Sequence, residues 1–364
     1  MTISEIGAVL EELAPLSYAE DFDNVGLLIG HPDTTVTGIL VTLDTLENVV
    51  DEAIAKKCNL IVSFHPIIFK GLKKLTGKTY VERVTIKAIA NDIAIYCLHT
   101  ALDNSPLGVN SKICEILGLG NRSILIPKEN TIKKLVTYVP RKDADVVLDA
   151  LFKAGAGAMG NYSNCSFTLE GKGSFKAGVE AYPAVGVKGE THFEEETQIN
   201  ITFPTGVENK ILKTLFKWHP YEEVAYEITA LTNKNQHMGM GMIGELDKPM
   251  EEMAFLAFLK NKMKASSVRH SKVLGKPIQK VAVLGGSGAF AIQNAKAKGA
   301  DIYITADLKY HQFYEAEDAL ILADIGHFET EQFTKQLLVD FLNEKIPNFA
   351  VNLSESITNP VNYF

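Results

Sequence analysis

An α/β fold is what this sequence predicts: a mostly parallel sheet layered with helices, interrupted by a small α+β ferredoxin-like inserted domain. Three observations predict it. Apolar runs at 38–44, 59–64 and 93–98 alternate with stretches of helical periodicity, the rhythm of parallel strands covered on both faces. The same rhythm returns over 280–339. Between them lies a segment whose elements read strand-helix-strand-strand-helix-strand. The expected domains are a discontinuous α/β unit, 1–127 with 238–364, whose strands form one sheet, and an insertion at 128–237.

Taken in order, 2–13 reads as an amphipathic helix, with Thr2 or Ser4 near its start and Glu5 in the first turn. Phe22-Asp23-Asn24 is a turn running into a short strand. Strand 38–44 leads to a helix over 46–57. Strand 59–64 ends in His65-Pro66, before a helix over 80–91. Strand 93–98 ends in His99-Thr100-Ala101-Leu102-Asp103, before a helix through Leu117. In the insertion, 134–139, 198–203 and 224–229 read as strands, and 143–153 and 209–218 as helices. The glycine-rich turn from Gly155 through Asn161 to Tyr162 is either structural or phosphate-binding, although it lacks the Lys-Ser/Thr of a P-loop. His219-Pro220-Tyr221-Glu222-Glu223 is a structural corner or a pocket edge. Met238-Gly239-Met240-Gly241-Met242 reads as a return linker. Strand 280–284 then enters Gly285-Gly286-Ser287-Gly288 and a helix to Lys298. Strand 301–305 enters a helix carrying Asp307 and His311. Strand 319–325 enters Gly326-His327, with a helix from near Phe328.

Composition narrows the classes. The 364 residues suit two domains, and 46% apolar with 22% charged residues supplies a substantial core. A net charge of −8 and a pI near 5.7 argue against a dedicated nucleic-acid binder. Cys58, Cys97, Cys114 and Cys165 are dispersed with no C-x-x-C pair, as expected of reduced packing residues. Glutamates stand where a signal peptide needs an apolar core, and no run reaches transmembrane length. The expectation is a soluble cytoplasmic protein with no membrane partner.

Polar residues collect where a parallel sheet binds ligands, beyond the carboxyl ends of its strands. His65 closes one strand, His99 and Asp103 follow another, and His327 with Glu331 follows a late one. Residues 327 and 331 are an i, i+4 pair on one helix face. Two imidazoles and two carboxylates suit a catalytic Zn, Mn, Fe or Ni site with open positions better than a closed structural zinc. Gly285, Gly286, Ser287 and Gly288 would turn backbone amides toward an anion at a helix start, such as a substrate phosphate. Lys70, Lys73, Lys74 and Lys78 form a basic loop, either solvated or steering phosphorylated substrate.

Phe22-Asp23-Asn24-Val25-Gly26-Leu27, Ser63-Phe64-His65-Pro66, His99-Thr100-Ala101-Leu102-Asp103, Gly285-Gly286-Ser287-Gly288 and Gly326-His327 with Glu331 together resemble the GTP cyclohydrolase I type 2 family, also called NGG-interacting-factor-3-like proteins. The middle segment is similar to the PII-like or CutA-like insertion of longer bacterial members. The resemblance implies His65, Asp103, His327 and Glu331 as metal ligands for one or two divalent cations, within a toroidal homohexamer. It implies a metal-dependent hydrolase in which a metal-bound hydroxide attacks a nucleotide-type substrate, with His99 or His311 as proton shuttle. The alternative it leaves open is a non-catalytic metal-binding scaffold or regulatory ring. Two positions depart from the family pattern. Phe64 stands where a second histidine is usual, and Phe22 where a tryptophan is usual.

Overall fold

The computed structural model describes residues 1–160 and 162–364 and is a mixed α/β structure with three sheets. The chain divides into two compact units, Met1–Pro127 with Gln236–Phe364, and Lys128–Asn235.

In the larger unit the strands build two sheets where one was expected. The first has the order Gly26–Ile29, Ala94–Cys97, Leu60–Ser63, Ile39–Thr42, Val351–Leu353. Its pairings are parallel except that of Gly26–Ile29. The second has the order Arg269–His270, Ile321–Asp324, Ile302–Ala306, Ile278–Ser287, Asn235–Met250, Gly120–Lys128. Its strands Ile321–Asp324, Ile302–Ala306 and Ile278–Ser287 pair in parallel, with antiparallel partners at Arg269–His270 and Asn235–Met250. Val351–Leu353 occupies the edge of the first beside Ile39–Thr42. In the second, the strand Asn235–Met250 pairs with Ile278–Ser287 through residues 242–250, and residues 238–242 are part of that strand and not a linker. Met238 and Met242 are buried there, and Gly239 and Gly241 take φ of 151° and 68°. A Cβ on Gly241 would lie 2.9 Å from the Val283 carbonyl oxygen, so glycine makes the close pairing possible.

Ile39–Thr42, Leu60–Ser63, Ala94–Cys97, Ile302–Ala306 and Ile321–Asp324 are buried at every position, as parallel strands covered on both faces must be. Polar groups are thereby driven to strand ends. The helix Ile3–Leu13 begins with a capping box between Thr2 and Glu5 and buries Ile3, Ile6, Leu10 and Leu13 at helical spacing. It packs into one core with Leu338 and Leu342 of the helix Thr334–Lys345. Each fully buried leucine or isoleucine there contributes about 1.5–3 kcal/mol. Among the described residues no helix is long and apolar enough to cross a membrane.

The smaller unit runs strand Ile132–Pro140, helix Ala144–Ala154, strands Ser166–Lys176 and Thr191–Pro204, helix Glu208–Trp218, strand Tyr226–Leu231. Its antiparallel sheet has the order Ser166–Lys176, Thr191–Pro204, Ile132–Pro140, Tyr226–Leu231. Leu135, Val139, Ile199, Ile201 and Phe203 point from one face into Val147, Leu151, Ile211 and Leu215 of the two helices. The turn after Ala154 is structural. Gly155 caps the helix at φ 109°, and the Gly157 amide donates to the Thr202 carbonyl. Asn161 of that turn lies outside the described residues.

Candidate metal centre

The site forms where strand ends of the two sheets face each other. The chain leaves Leu60–Ser63 still hydrogen-bonded to its neighbour, Phe64 N–H to the Thr42 carbonyl and His65 N–H to that of Leu43, so the His65 backbone is held rigid. The His65 Nδ1 bonds Asp44 Oδ1 at 2.8 Å, and its Nε2 stands 3.1 Å from Glu331 Oε2. On the other side Gly326, at φ 97°, ends the chain's exit from Ile321–Asp324 and starts the short helix His327–Glu331. That helix begins one residue earlier than expected. His327 Nε2 lies 3.2 Å from the same Glu331 Oε2, and its Nδ1 bonds Asp307 Oδ2 at 2.7 Å. The His65 and His327 ring centroids are 5.5 Å apart. Ligand atoms of His65, His327 and Glu331 all fall within 4.8 Å of one another, a grouping able to hold a metal ion.

Electrostatics follow from this geometry. Burial disfavours a charged His65, but bonds to Asp44 and Glu331 outweigh it and raise its pKa to about 10. His327 rises to about 9 against the same burial cost, through Glu331 and then Asp307. Burial pushes Glu331 up, yet the two imidazoles hold it at about 2. Asp103 is different: burial first, then the Glu331 charge, push its carboxyl well above the usual range. Among the described residues its buried Oδ1 has no hydrogen-bond partner, and Glu331 Oε2 has only the two ion pairs. A buried orphan carboxylate oxygen is costly unless something positive completes it.

Two of the anticipated roles change. The amides of Gly285 and Gly286 donate to Asn110 Oδ1 and Thr330 Oγ1, at 3.0 and 2.9 Å, so they are not free for an anion. Ser287 Oγ donates to Asp307, and the Gly288 carbonyl accepts from Tyr303. A full helix does not follow; the 3-10 turn Ala289–Ala291 and the six-residue helix Ile292–Ala297 do. The glycines serve closeness instead. A Cβ on Gly286, which sits at φ +71°, would lie 2.5 Å from Glu331 Oε1 and 3.4 Å from the His327 ring. Asp307 is not on a helix either. It is a loop residue at φ 58° after Ile302–Ala306, turned so that its carboxylate meets His327.

His99 stands beside His65, ring centroids 5.4 Å apart. Its Nδ1 bonds Asp23 Oδ1 at 2.8 Å, while Thr100 binds Asp23 Oδ2 through both backbone and side chain. Burial would raise Asp23, but these bonds hold its carboxyl at about 2. His99 itself has φ 25°, rare for a non-glycine residue, secured by its N–H to the Phe64 carbonyl. Phe64 is fully buried, with its ring 4.9 Å from that of His65 and 5.6 Å from that of His99. His311 lies on the exposed 3-10 helix Tyr310–Ala316, its ring against Tyr310 and Tyr314. Among the described residues no hydrogen bond, ion pair or ring contact joins it to the centre. Lys70, Lys73, Lys74 and Lys78 are exposed. A cavity of about 410 Å³ opens on His65, Asp307 and His327, with Asn359, Val361 and Tyr363 in its wall.

Asp44, Asp307 and Asp23, which bond the Nδ1 atoms of His65, His327 and His99, were not assigned to the candidate site by pattern reading. The available signal was position: Asp44 and Asp307 stand just past strand ends, as the histidines do.

Comparison with known proteins completes the description. Residues 1–360 match the family model Duf34/NIF3 (NGG1p interacting factor 3). The chain is similar to the GTP cyclohydrolase 1 type 2 homolog of Bacillus subtilis (strain 168), 39% identical over 370 residues, covering 99% of this chain and 98% of that protein. The homolog of the same name from Staphylococcus aureus (strain COL) is 34% identical over 367 residues and covers both chains fully. Among solved structures, a Bacillus cereus protein related to NIF3 is 37% identical with a TM-score of 0.83, covering 100% of this chain and 99% of the other.

Proposed function

We propose that this chain, which belongs to the Duf34/NIF3 (NGG1p interacting factor 3) family, is a metal-dependent hydrolase whose ion is held by His65, His327 and Glu331 with Asp103. The observation that carries the proposal is convergence: two imidazole Nε2 atoms meet one carboxylate oxygen, while each Nδ1 is locked by its own aspartate. Carboxylate-locked imidazoles are the usual outer support of a metal site, since they fix the tautomer and raise ligand basicity. The orphaned Asp103 Oδ1 supports the same reading. Zn, Mn, Fe and Ni all suit this donor set. A divalent cation so held acidifies bound water and supplies a nucleophile at neutral pH.

Around it the chain's own groups take defined parts. Asp23 binds the Nδ1 of His99, leaving Nε2 as the atom that exchanges a proton. His99 therefore suits the shuttle role better than His311. The cavity beside His327 would receive a nucleotide-type substrate, with the exposed lysines 70–78 steering its phosphates.

The test is hydrolysis of GTP and other nucleotides by metal-loaded protein, set against His327→Ala. Equal rates for both would reject the hydrolase.

One observation favours a second reading, a non-catalytic metal-binding scaffold. Phe64 offers no donor and fills its place with core packing, so a two-ion site would lack a ligand. Activity that fails to track metal content, while assembly does, would select the scaffold. The strand-helix-strand-strand-helix-strand order and sheet order of the smaller unit support its reading as a ferredoxin-like, PII-like insertion. A homohexamer belongs to this proposal and is checked by solution mass. Free cysteines at all four positions fit a reducing cytoplasm.

A further inference from the structure

The corner His219-Pro220-Tyr221-Glu222-Glu223 is not absorbed by the metal centre, and it edges a cavity of its own. Strand alternation sets the cavity's place. In Ile132–Pro140, Leu135 and Val139 face the helices, so Tyr138 points to the sheet's other face. Glu196, from the adjacent strand Thr191–Pro204, and Phe175, from Ser166–Lys176 on its far side, join Tyr138 in lining a cavity of about 400 Å³.

The rest of the wall is built from the corner and the 177–190 loop. His219 is buried and kept neutral by that burial, its Nε2–H donating to the Tyr138 carbonyl at 2.9 Å. Its Nδ1 accepts the Tyr221 amide at 3.1 Å, and the two rings stack edge-on at 5.1 Å. Tyr221 is thereby aimed so that its hydroxyl donates to Glu196 Oε1 at 2.8 Å. The other carboxylate oxygen of Glu196 lies over Gly173, where a Cβ would stand 2.0 Å from it. Glu222 accepts the Tyr182 amide at 2.7 Å and so fastens the loop to the corner.

The lining chemistry is one-sided. Tyr138, Phe175 and Tyr221 supply aromatic rings, those of Phe175 and Tyr221 being 6.1 Å apart and tilted by 58°. Glu196, Glu222 and Glu223 supply carboxylates, four alanines and Pro183 supply apolar surface, and among the described residues no lysine, arginine or histidine lines it. An anion is repelled here by the three carboxylates, and a neutral apolar ligand gains nothing from their charge. A small organic cation satisfies both halves: aromatic rings attract it through their quadrupoles, and carboxylates neutralise it. The volume is in the range of small-molecule sites.

We propose that this cavity in the Lys128–Asn235 unit is a binding site for a small organic ammonium ion, held by Tyr138, Phe175, Tyr221 and the Glu196 carboxylate. The full chain is titrated by calorimetry with choline and with its neutral isostere 3,3-dimethyl-1-butanol. Choline should bind at least tenfold more tightly than the isostere. Glu196→Gln, which still accepts from Tyr221, should weaken choline at least tenfold without moving the melting temperature appreciably. Phe175→Leu should weaken it also, and Tyr221→Phe, which keeps the ring, should retain it. The proposal is overturned if choline does not bind, if the isostere binds equally, or if neither Glu196→Gln nor Phe175→Leu changes choline binding in folded protein.

Discussion

Replacing Asp307 by alanine removes a group that the proposed ion never touches, yet metal affinity should fall. Asp307 Oδ2 bonds His327 Nδ1 at 2.7 Å and also accepts from Ser287. Without it, His327 loses both the partner that fixes its tautomer and one of the two carboxylates that raise its basicity. Losing such a support typically costs 10–100-fold in metal affinity, which is about 1.4–2.7 kcal/mol. The folding cost should be smaller, because the Asp307 side chain is 49% exposed and paired in solvent-screened surroundings. Competition titration against a chromophoric chelator, with zinc or manganese, reads the affinity directly, and urea unfolding of metal-free protein reads the stability. His327→Ala should lose more than Asp307→Ala, since it deletes a ligand. Wild-type affinity in Asp307→Ala would refute the reasoning, as would a stability loss large enough to account for the weaker binding.

Other expectations rest on neighbouring features. Folded-state pKa values of about 10 for His65 and about 9 for His327 exceed the unfolded value near 6.5. Their stabilisation of metal-free protein is therefore complete below pH 6.5 and lost as pH rises toward 9–10. Calorimetric melting over that window should fall for metal-free protein and stay flatter for loaded protein, while metal affinity climbs; parallel curves would contradict this. Gly286→Ala places a Cβ 2.5 Å from Glu331 Oε1 at a φ of +71°. It should destabilise by about 1–3 kcal/mol in urea unfolding and displace Glu331, weakening metal uptake. Phe64→His inserts an imidazole at a fully buried position. It should lower metal-free stability by about 1–3 kcal/mol while raising the metal-to-chain ratio, read by elemental analysis, from near one toward two.

How far the sequence alone reaches differs by level. Strand and helix identities were legible because their signals are local. The apolar runs 38–44, 59–64 and 93–98 became Ile39–Thr42, Leu60–Ser63 and Ala94–Cys97, and the Thr2 cap with Glu5 was readable from spacing alone. The division into two sheets was not legible, because Met238-Gly239-Met240-Gly241-Met242 looks like a linker until it is seen as part of the strand Asn235–Met250, which pairs with Ile278–Ser287 from Met242 onward. The Gly285–Gly288 run misled for a similar reason: glycines that open an anion cradle and glycines that admit a carboxylate look alike in one dimension.

At the centre the same boundary holds. Residue type and strand-end position marked His65, Asp103, His327 and Glu331 as candidates, of which His65, His327 and Glu331 bring their ligand atoms within 4.8 Å of one another. Only the tertiary structure decided that both imidazoles turn Nε2 toward Glu331, because that orientation is set by Asp44 and Asp307 at the other ring nitrogen. Periodicity reports which side of its own element a residue occupies. Which carboxylate meets which imidazole depends on how strand ends distant in sequence are aligned, and no local pattern encodes that alignment.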